Sequence, residues 1–262
     1  MPGLRPDIDP DGLLEYSVVF TDRSLNHMSQ SFQSVMRDIH AGLCEVYSAA
    51  AAVVIPGGGT YAMEAVARQL ATGRKVMVIR NGFFSYRWTQ IFEAGSIPAQ
   101  ETVLMARRQG DAADASFAPP PLEEVVARIA AERPEVLFAP HVETASGIIL
   151  PGDYLRALAD AVHAHGGLFV LDCIASGCVW VDMAASGVDV LISAPQKGWS
   201  APPSSGLVMM NEVALERCRA SKSTSFAADL GKWLTIMEAY LGGGFAYHAT
   251  MPTDALRTFR NA

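Results

Sequence analysis

The chain has 262 residues, half of them hydrophobic and 18% charged, enough to bury one large core or two small ones. Acidic residues outnumber basic ones 27 to 20, and no basic block offsets the formal charge of −7, which argues against a general nucleic-acid binder. No apolar run approaches the roughly 20 residues that a membrane span needs, and the polar, acidic, proline-rich start MPGLRPDIDPDG does not read as a signal peptide. The four cysteines, Cys44, Cys173, Cys178 and Cys218, form no CxxC pair. Reduced thiols and a cytoplasmic protein are therefore expected.

In chain order, residues 1–25 read as an irregular arm, with an extended stretch at 16–20 and a turn at 21–24. Phe32, Val35, Met36, Ile39, Leu43 and Val46 recur at helical spacing, so a helix is expected over 29–46. A buried strand at 53–55 runs into Pro56-Gly57-Gly58-Gly59-Thr60, and an alanine-rich helix follows over 61–71. A strand at 75–79 leads to the loop Arg80-Asn81-Gly82-Phe83-Phe84-Ser85 and a helix to about 93. A strand is expected at 97–104, then a surface loop over 108–121, a helix at 122–132 and a strand at 136–139. The loop 140–147 precedes a helix over 152–165. Two short apolar strands, 168–171 and 188–192, come next, then a strand at 206–210 and a helix over 213–222. From 225 onward the periodicity is weak, up to Gly242-Gly243-Gly244.

Short apolar strands without clean in/out alternation, interleaved with helices, predict an α/β fold: a mostly parallel sheet covered by helices on both faces, a three-layer αβα sandwich. Ligands of such sheets sit beyond the carboxyl ends of the strands. Two charged residues stand at such places. Asp172 ends the strand 168–171, and Lys197 lies just past the strand 188–192, 25 positions on. We read them as two handles on pyridoxal 5′-phosphate (PLP): an amine for a Schiff base and a carboxylate to pair with a protonated ring nitrogen. Taken singly, Lys197 could be a solvated surface lysine and Asp172 a turn former.

Other loops offer weaker signals. Gly57 to Thr60, between a strand and a helix, suits a phosphate at a helix N-terminus and equally suits an ordinary tight turn. Phe83 or Phe84, with Phe84 preferred, could stack on a pyridine ring or simply pack in the core. The hydroxyls of Thr144 and Ser146 could meet the cofactor or a substrate. His141 has no second metal ligand at a useful spacing, and His163 and His165 face different ways on a helix, so no metal is assigned. Tyr247 and Thr250 could reach a phosphate or could form a plain turn.

Together these residues resemble the class V aminotransferases of the fold-type I PLP enzymes, particularly the alanine–glyoxylate and serine–pyruvate group, from about residue 26 to the end. The resemblance implies that Lys197 carries the cofactor, Asp172 pairs with its ring nitrogen, and Ile174 and Phe84 pack on opposite ring faces. It matches Gly58, Gly59 and Thr60 to the family's phosphate turn, Gln196 to the glutamine before the lysine, and Ser146 to a hydroxyl of the Glu-Thr/Ser-x-Ser-Gly loop. Tyr247 and Thr250 match the Tyr-His-x-Thr-x-Pro segment that reaches the phosphate of a neighbouring subunit, which implies a homodimer. Tryptophan is more usual at the Phe84 position, and the family's Gly-Pro-Gly-Pro start is replaced by Phe20-Thr21-Asp22-Arg23-Ser24. The expected layout is an arm (1–25), a large PLP-binding domain (26–252) and the start of a helix (253–262) towards a small domain that has no counterpart here. The implied activity is transfer of an amino group from an amino acid to a 2-oxo acid such as glyoxylate or pyruvate. A PLP-dependent lyase or desulfurase on the same fold, and a truncated non-catalytic PLP-binding module, are the alternatives. Desulfurases usually carry a histidine where Gln196 and Phe84 stand, which disfavours the first.

Overall fold

A computed structural model describes residues 25–262; the expected extended stretch at 16–20, the turn at 21–24 and all but the last residue of the arm lie outside the described residues. Helix α1 (Gln30–Tyr47) opens on Ser29, whose hydroxyl accepts from the Phe32 N–H. Its Phe32, Val35, Met36, Ile39 and Leu43 are buried on one stripe, as their spacing requires. Strand β1 (Ala51–Pro56) leads into α2 (Gly59–Leu70), and β2 (Lys75–Arg80) into α3 (Phe83–Gly95). Strand β3 (Gln100–Met105) is followed by a ribbon of β4 (Arg107–Arg108) and β5 (Phe117–Ala118), then by α4 (Leu122–Glu132). Strand β6 (Val136–Pro140) ends in a hairpin of β7 (Val142–Glu143) and β8 (Ile148–Ile149) before α5 (Gly152–His163). Then come β9 (Leu168–Asp172), the single turn α6 (Met183–Ser186), β10 (Val190–Ser193), β11 (Ser205–Met210) and α7 (Glu212–Ala220). Helices α8 (Leu230–Leu241) and α9 (Thr253–Asn261) close the chain.

Seven strands form one sheet in the order β1-β11-β10-β9-β6-β2-β3. Only β11 runs against its neighbours; the β10–β9, β9–β6, β6–β2 and β2–β3 pairs are parallel. Strands β6, β9, β10 and β11 are buried at every position, the mark of a sheet covered on both faces. The α/β sandwich expected from the sequence is therefore the fold.

The differences from the sequence reading are local. β3 begins at Gln100 rather than 97, because Ile97 closes the end of α3 (its N–H donates to the Phe92 carbonyl) and its side chain is buried there. β10 begins at Val190 rather than 188. The intervening Asp189 instead uses its buried carboxylate to receive the Phe169 N–H at 2.7 Å, the Asn211 amide at 2.7 Å and the His163 ring at 2.7 Å. Helix α5 stops at His163, two residues early, and His165 turns to the Pro134 carbonyl. The weakly periodic tail contains two helices, α8 and α9, both packed on α1.

Candidate active site

Because β11 runs antiparallel to both β1 and β10, those two strands share a direction with β9, β6 and β2. All five carboxyl ends therefore lie along one edge of the sheet. A cavity of about 200 Å³ opens there, lined by Gly59, Thr60, Phe84, Arg87, Val142, Thr144, Asp172, Ile174, Ala175, Gln196 and Lys197. The strand-end expectation thus brings together Gly59, Thr60, Phe84, Asp172, Ile174, Gln196 and Lys197. Gly58 stands one residue behind, as the N-cap of α2.

Asp172 is the last residue of β9 and 7% exposed. One carboxylate oxygen accepts the Ile174 N–H at 2.9 Å. Among the described residues no cationic side chain lies within ion-pairing distance of it. Burial therefore dominates and raises its pKa from 3.8 to about 6. The Ile174 amide, Arg87 and Lys197 act the other way, while Glu143 adds to the rise. A buried carboxylate without a cation, facing a cavity, is a site that awaits a positive charge.

Lys197 is exposed on the cavity wall, and its side chain has no partner among the described residues. Its turn is braced by the Ser200 N–H on the Lys197 carbonyl and the Ala201 N–H on the Pro195 carbonyl. Gly198 fixes this turn against the loop that follows Asp172: a Cβ on it would sit 2.0 Å from the Gly177 carbonyl oxygen, so no other residue fits. Trp199 and Trp180, one from each loop, pack with ring centroids 4.7 Å apart. The lysine and the acid are thus held by loops in direct contact.

At the other side of the cavity, α2 starts without any side-chain cap, since its N-cap is Gly58. The Tyr61 and Ala62 N–H groups donate to the Gly58 carbonyl, while those of Gly59 and Thr60 have no acceptor among the described residues, with the positive end of the helix dipole behind them. Gly59 lies so close to Ile174 that a Cβ would meet Ile174 Cδ1 at 2.5 Å. Helix α3 begins differently. The buried Glu143 accepts the Phe84 N–H at 3.2 Å, the Ser85 N–H at 2.8 Å and the Ser85 hydroxyl at 2.7 Å, and also receives the Ala145 N–H.

These features fit PLP. The unpaired Asp172 carboxylate suits a pyridinium, the Lys197 amine an aldehyde, the open start of α2 a phosphate, and Phe84 with Ile174 the ring. The Gln196 side-chain oxygen is buried without a partner and supplies a free acceptor there.

Besides Gly58, three expected site residues are not on the cavity wall. Thr144 of that loop lines the cavity; the Ser146 hydroxyl is buried without a partner among the described residues. Tyr247 and Thr250 are exposed, and the Tyr247 ring lies 5.5 Å from that of His27. Sequence reasoning also passed over Arg87 and the Glu143 cap. Arg87 stands three residues after Phe84 on one helix, the spacing that puts two side chains on one face, and this was the available signal.

The family model for aminotransferase class-V matches residues 13–229. Among curated proteins, the alanine–glyoxylate aminotransferase of Rattus norvegicus is 28% identical over 92% of this chain and 56% of its own length. The 2-aminoethylphosphonate–pyruvate transaminase of Vibrio vulnificus is 29% identical over 80% of this chain and 53% of its own. The solved alanine–glyoxylate aminotransferase of Nostoc sp. superposes with a TM-score of 0.75 at 26% identity, covering 90% of this chain and 60% of that one. The chain spans little more than half the length of these relatives. The chain belongs to the class V aminotransferase family of PLP-dependent, fold-type I enzymes.

Proposed function

We propose that the protein is a PLP-dependent aminotransferase that moves an amino group from an amino acid to a small 2-oxo acid. Glyoxylate and pyruvate are the acceptors in the names of its relatives. One observation carries the reading: a buried Asp172 carboxylate without a cationic partner shares a 200 Å³ cavity with the Lys197 amine.

When bound, PLP supplies an electron sink for the pair of electrons left when the substrate Cα loses a proton. The chain's own residues do the rest. Asp172 is positioned to keep the ring nitrogen protonated, which restores the counter-charge that burial otherwise denies the carboxylate. Lys197 Nζ would hold the cofactor and, once a substrate amine takes its place, would accept the substrate's α-proton as a base. Phe84 and Ile174 confine the ring. Gly58, Gly59 and Thr60 offer N–H groups and a hydroxyl to the phosphate, and Gln196 and Ser146 have buried oxygens still without partners. We further propose that the chain forms a homodimer in which Tyr247 and Thr250 reach the partner's phosphate, since both are exposed and neither lines its own cavity. The four free cysteines favour a reducing, cytoplasmic setting. Residues 26–252 are then the cofactor-binding unit, with α9 (within 253–262) at its end.

The test is spectroscopic. The purified protein should take up PLP and turn yellow, and Lys197→Ala should abolish the colour. An amino acid added alone should convert the bound cofactor to its amine form, and a 2-oxo acid should reverse this. A yellow protein whose spectrum is unmoved by a panel of amino acids would sink the aminotransferase reading while leaving the cofactor in place.

A further inference from the structure

Among the described residues, Arg87 is the one guanidinium on the cavity wall. It stands on α3, one turn after Phe84, half-buried, and crosses to the start of α2. Its Nη1 donates to the Thr60 hydroxyl at 3.1 Å, and its Cζ lies 5.6 Å from the Phe84 ring centroid. No carboxylate pairs with it among the described residues. The charges on the wall are two cations, Lys197 and Arg87, and one anion, Asp172.

We propose that Arg87 is the cationic ligand of the cofactor phosphate, closing from α3 over the uncapped N-terminus of α2. The assignment rests on the PLP reading above. In that reading Lys197 is committed to the cofactor's aldehyde and Asp172 to its ring nitrogen. The phosphate carries a charge of about −1.5 to −2, and helix N–H groups supply only about half a positive charge. Arg87 is the remaining fixed cation in the cavity. Its hydrogen bond to Thr60 in the first turn of α2 sets it at the phosphate end, and its planar fork suits two phosphate oxygens at once.

The experiment compares PLP with pyridoxal, the same ring without the phosphate. Both are titrated into the wild-type chain and into Arg87→Gln and Arg87→Lys, read by absorbance and by tryptophan fluorescence. Arg87→Gln should weaken PLP about 10- to 100-fold, the worth of a charge-assisted contact, and should leave pyridoxal affinity nearly unchanged. Arg87→Lys should recover part of the loss by restoring the charge without the fork. Equal losses for the two ligands would mean that Arg87 shapes the cavity or supports Phe84, and would overturn the assignment. So would unchanged PLP affinity. A third overturning result is a variant that binds PLP normally yet needs far more amino acid to convert it, which would make Arg87 a ligand of the substrate carboxylate. If the wild-type chain binds no PLP at all, the cofactor reading itself fails, and this assignment with it.

Discussion

Helices α2 and α3 pack on each other and start at the same edge of the sheet, each after a strand and a glycine, yet their N-termini are in opposite states. The start of α3 is filled from within the chain by the buried Glu143 carboxylate, which accepts two backbone N–H groups and a hydroxyl. The start of α2 receives no side-chain cap among the described residues, although it opens on the cavity with a hydroxyl and an arginine beside it. The first end is satisfied by the chain; the second, left open beside a cation, is where the proposed reading puts the cofactor phosphate. The same backbone chemistry serves stability on one helix and binding on its neighbour.

The largest expected effect comes from emptying the filled end. Glu143→Ala leaves the Phe84 and Ser85 N–H groups and the Ser85 hydroxyl without their acceptor in a buried setting. It should cost about 3–5 kcal/mol, read as a lower midpoint in urea. Because α3 also carries Phe84 and Arg87, PLP affinity should fall with it.

Filling the open end is the converse. The space around Gly58 is clear, since a Cβ there meets nothing within 4 Å, and its φ of 174° is extended backbone that any residue adopts. Gly58→Asp should give α2 its own anionic cap and stabilise the cofactor-free protein by about 1 kcal/mol. The same carboxylate would occupy the phosphate's place and repel it, so PLP should bind about 100-fold more weakly, or about 2.7 kcal/mol. If both affinity and stability rise, the two helix ends are not the contrast drawn here.

A third change probes the remaining unmatched charge. The folded-state pKa of Asp172, about 6, lies above its unfolded value of 3.8. The folded protein therefore holds this proton more tightly, and the penalty of the buried carboxylate is absent at low pH. It grows as pH rises from about 4 to about 6 and is constant above that. Asp172→Asn removes it. Without cofactor the variant should be more stable than wild type by about 3 kcal/mol at pH 8 and nearly equal to it near pH 3.5, from melts across that range. A parallel pair of stability curves would mean that burial costs the carboxylate nothing.

The residues that carry this site differed in how plainly the sequence displayed them. Asp172 and Lys197 stand out because each is a charge following an apolar run, and the parallel β9–β10 register turns that into neighbourhood. The glycines of 57–59 were visible, but whether they made a turn or a cradle depended on the missing cap of α2. Glu143 could not be read, because its partners Phe84 and Ser85 are 59 and 58 positions away and meet it only when β6 and β2 pair. The loop 140–147 offered two hydroxyls, Thr144 and Ser146; the short β7–β8 hairpin that brings Thr144 round to the cavity has no signature in apolar spacing. Helix α8 was obscured because Ile236 broadens a stripe of Leu230, Trp233, Leu234, Met237, Tyr240 and Leu241 that otherwise repeats at helical intervals.

The connection between β9 and β10 contains only one turn of helix, α6. Joining Leu171 to Leu191 closes a loop of about twenty residues, whereas joining Ile55 to Gly206 across β1 and β11 closes one of about 150. Loop-closure entropy grows with the logarithm of length, so the first closure is cheaper by about 2 kcal/mol. The acid and the lysine therefore meet through one of the least demanding long-range pairings in the sheet. Their alignment depends on a short, contiguous stretch of chain, while the phosphate end of the same cavity must wait for β1 to be threaded in beside β11.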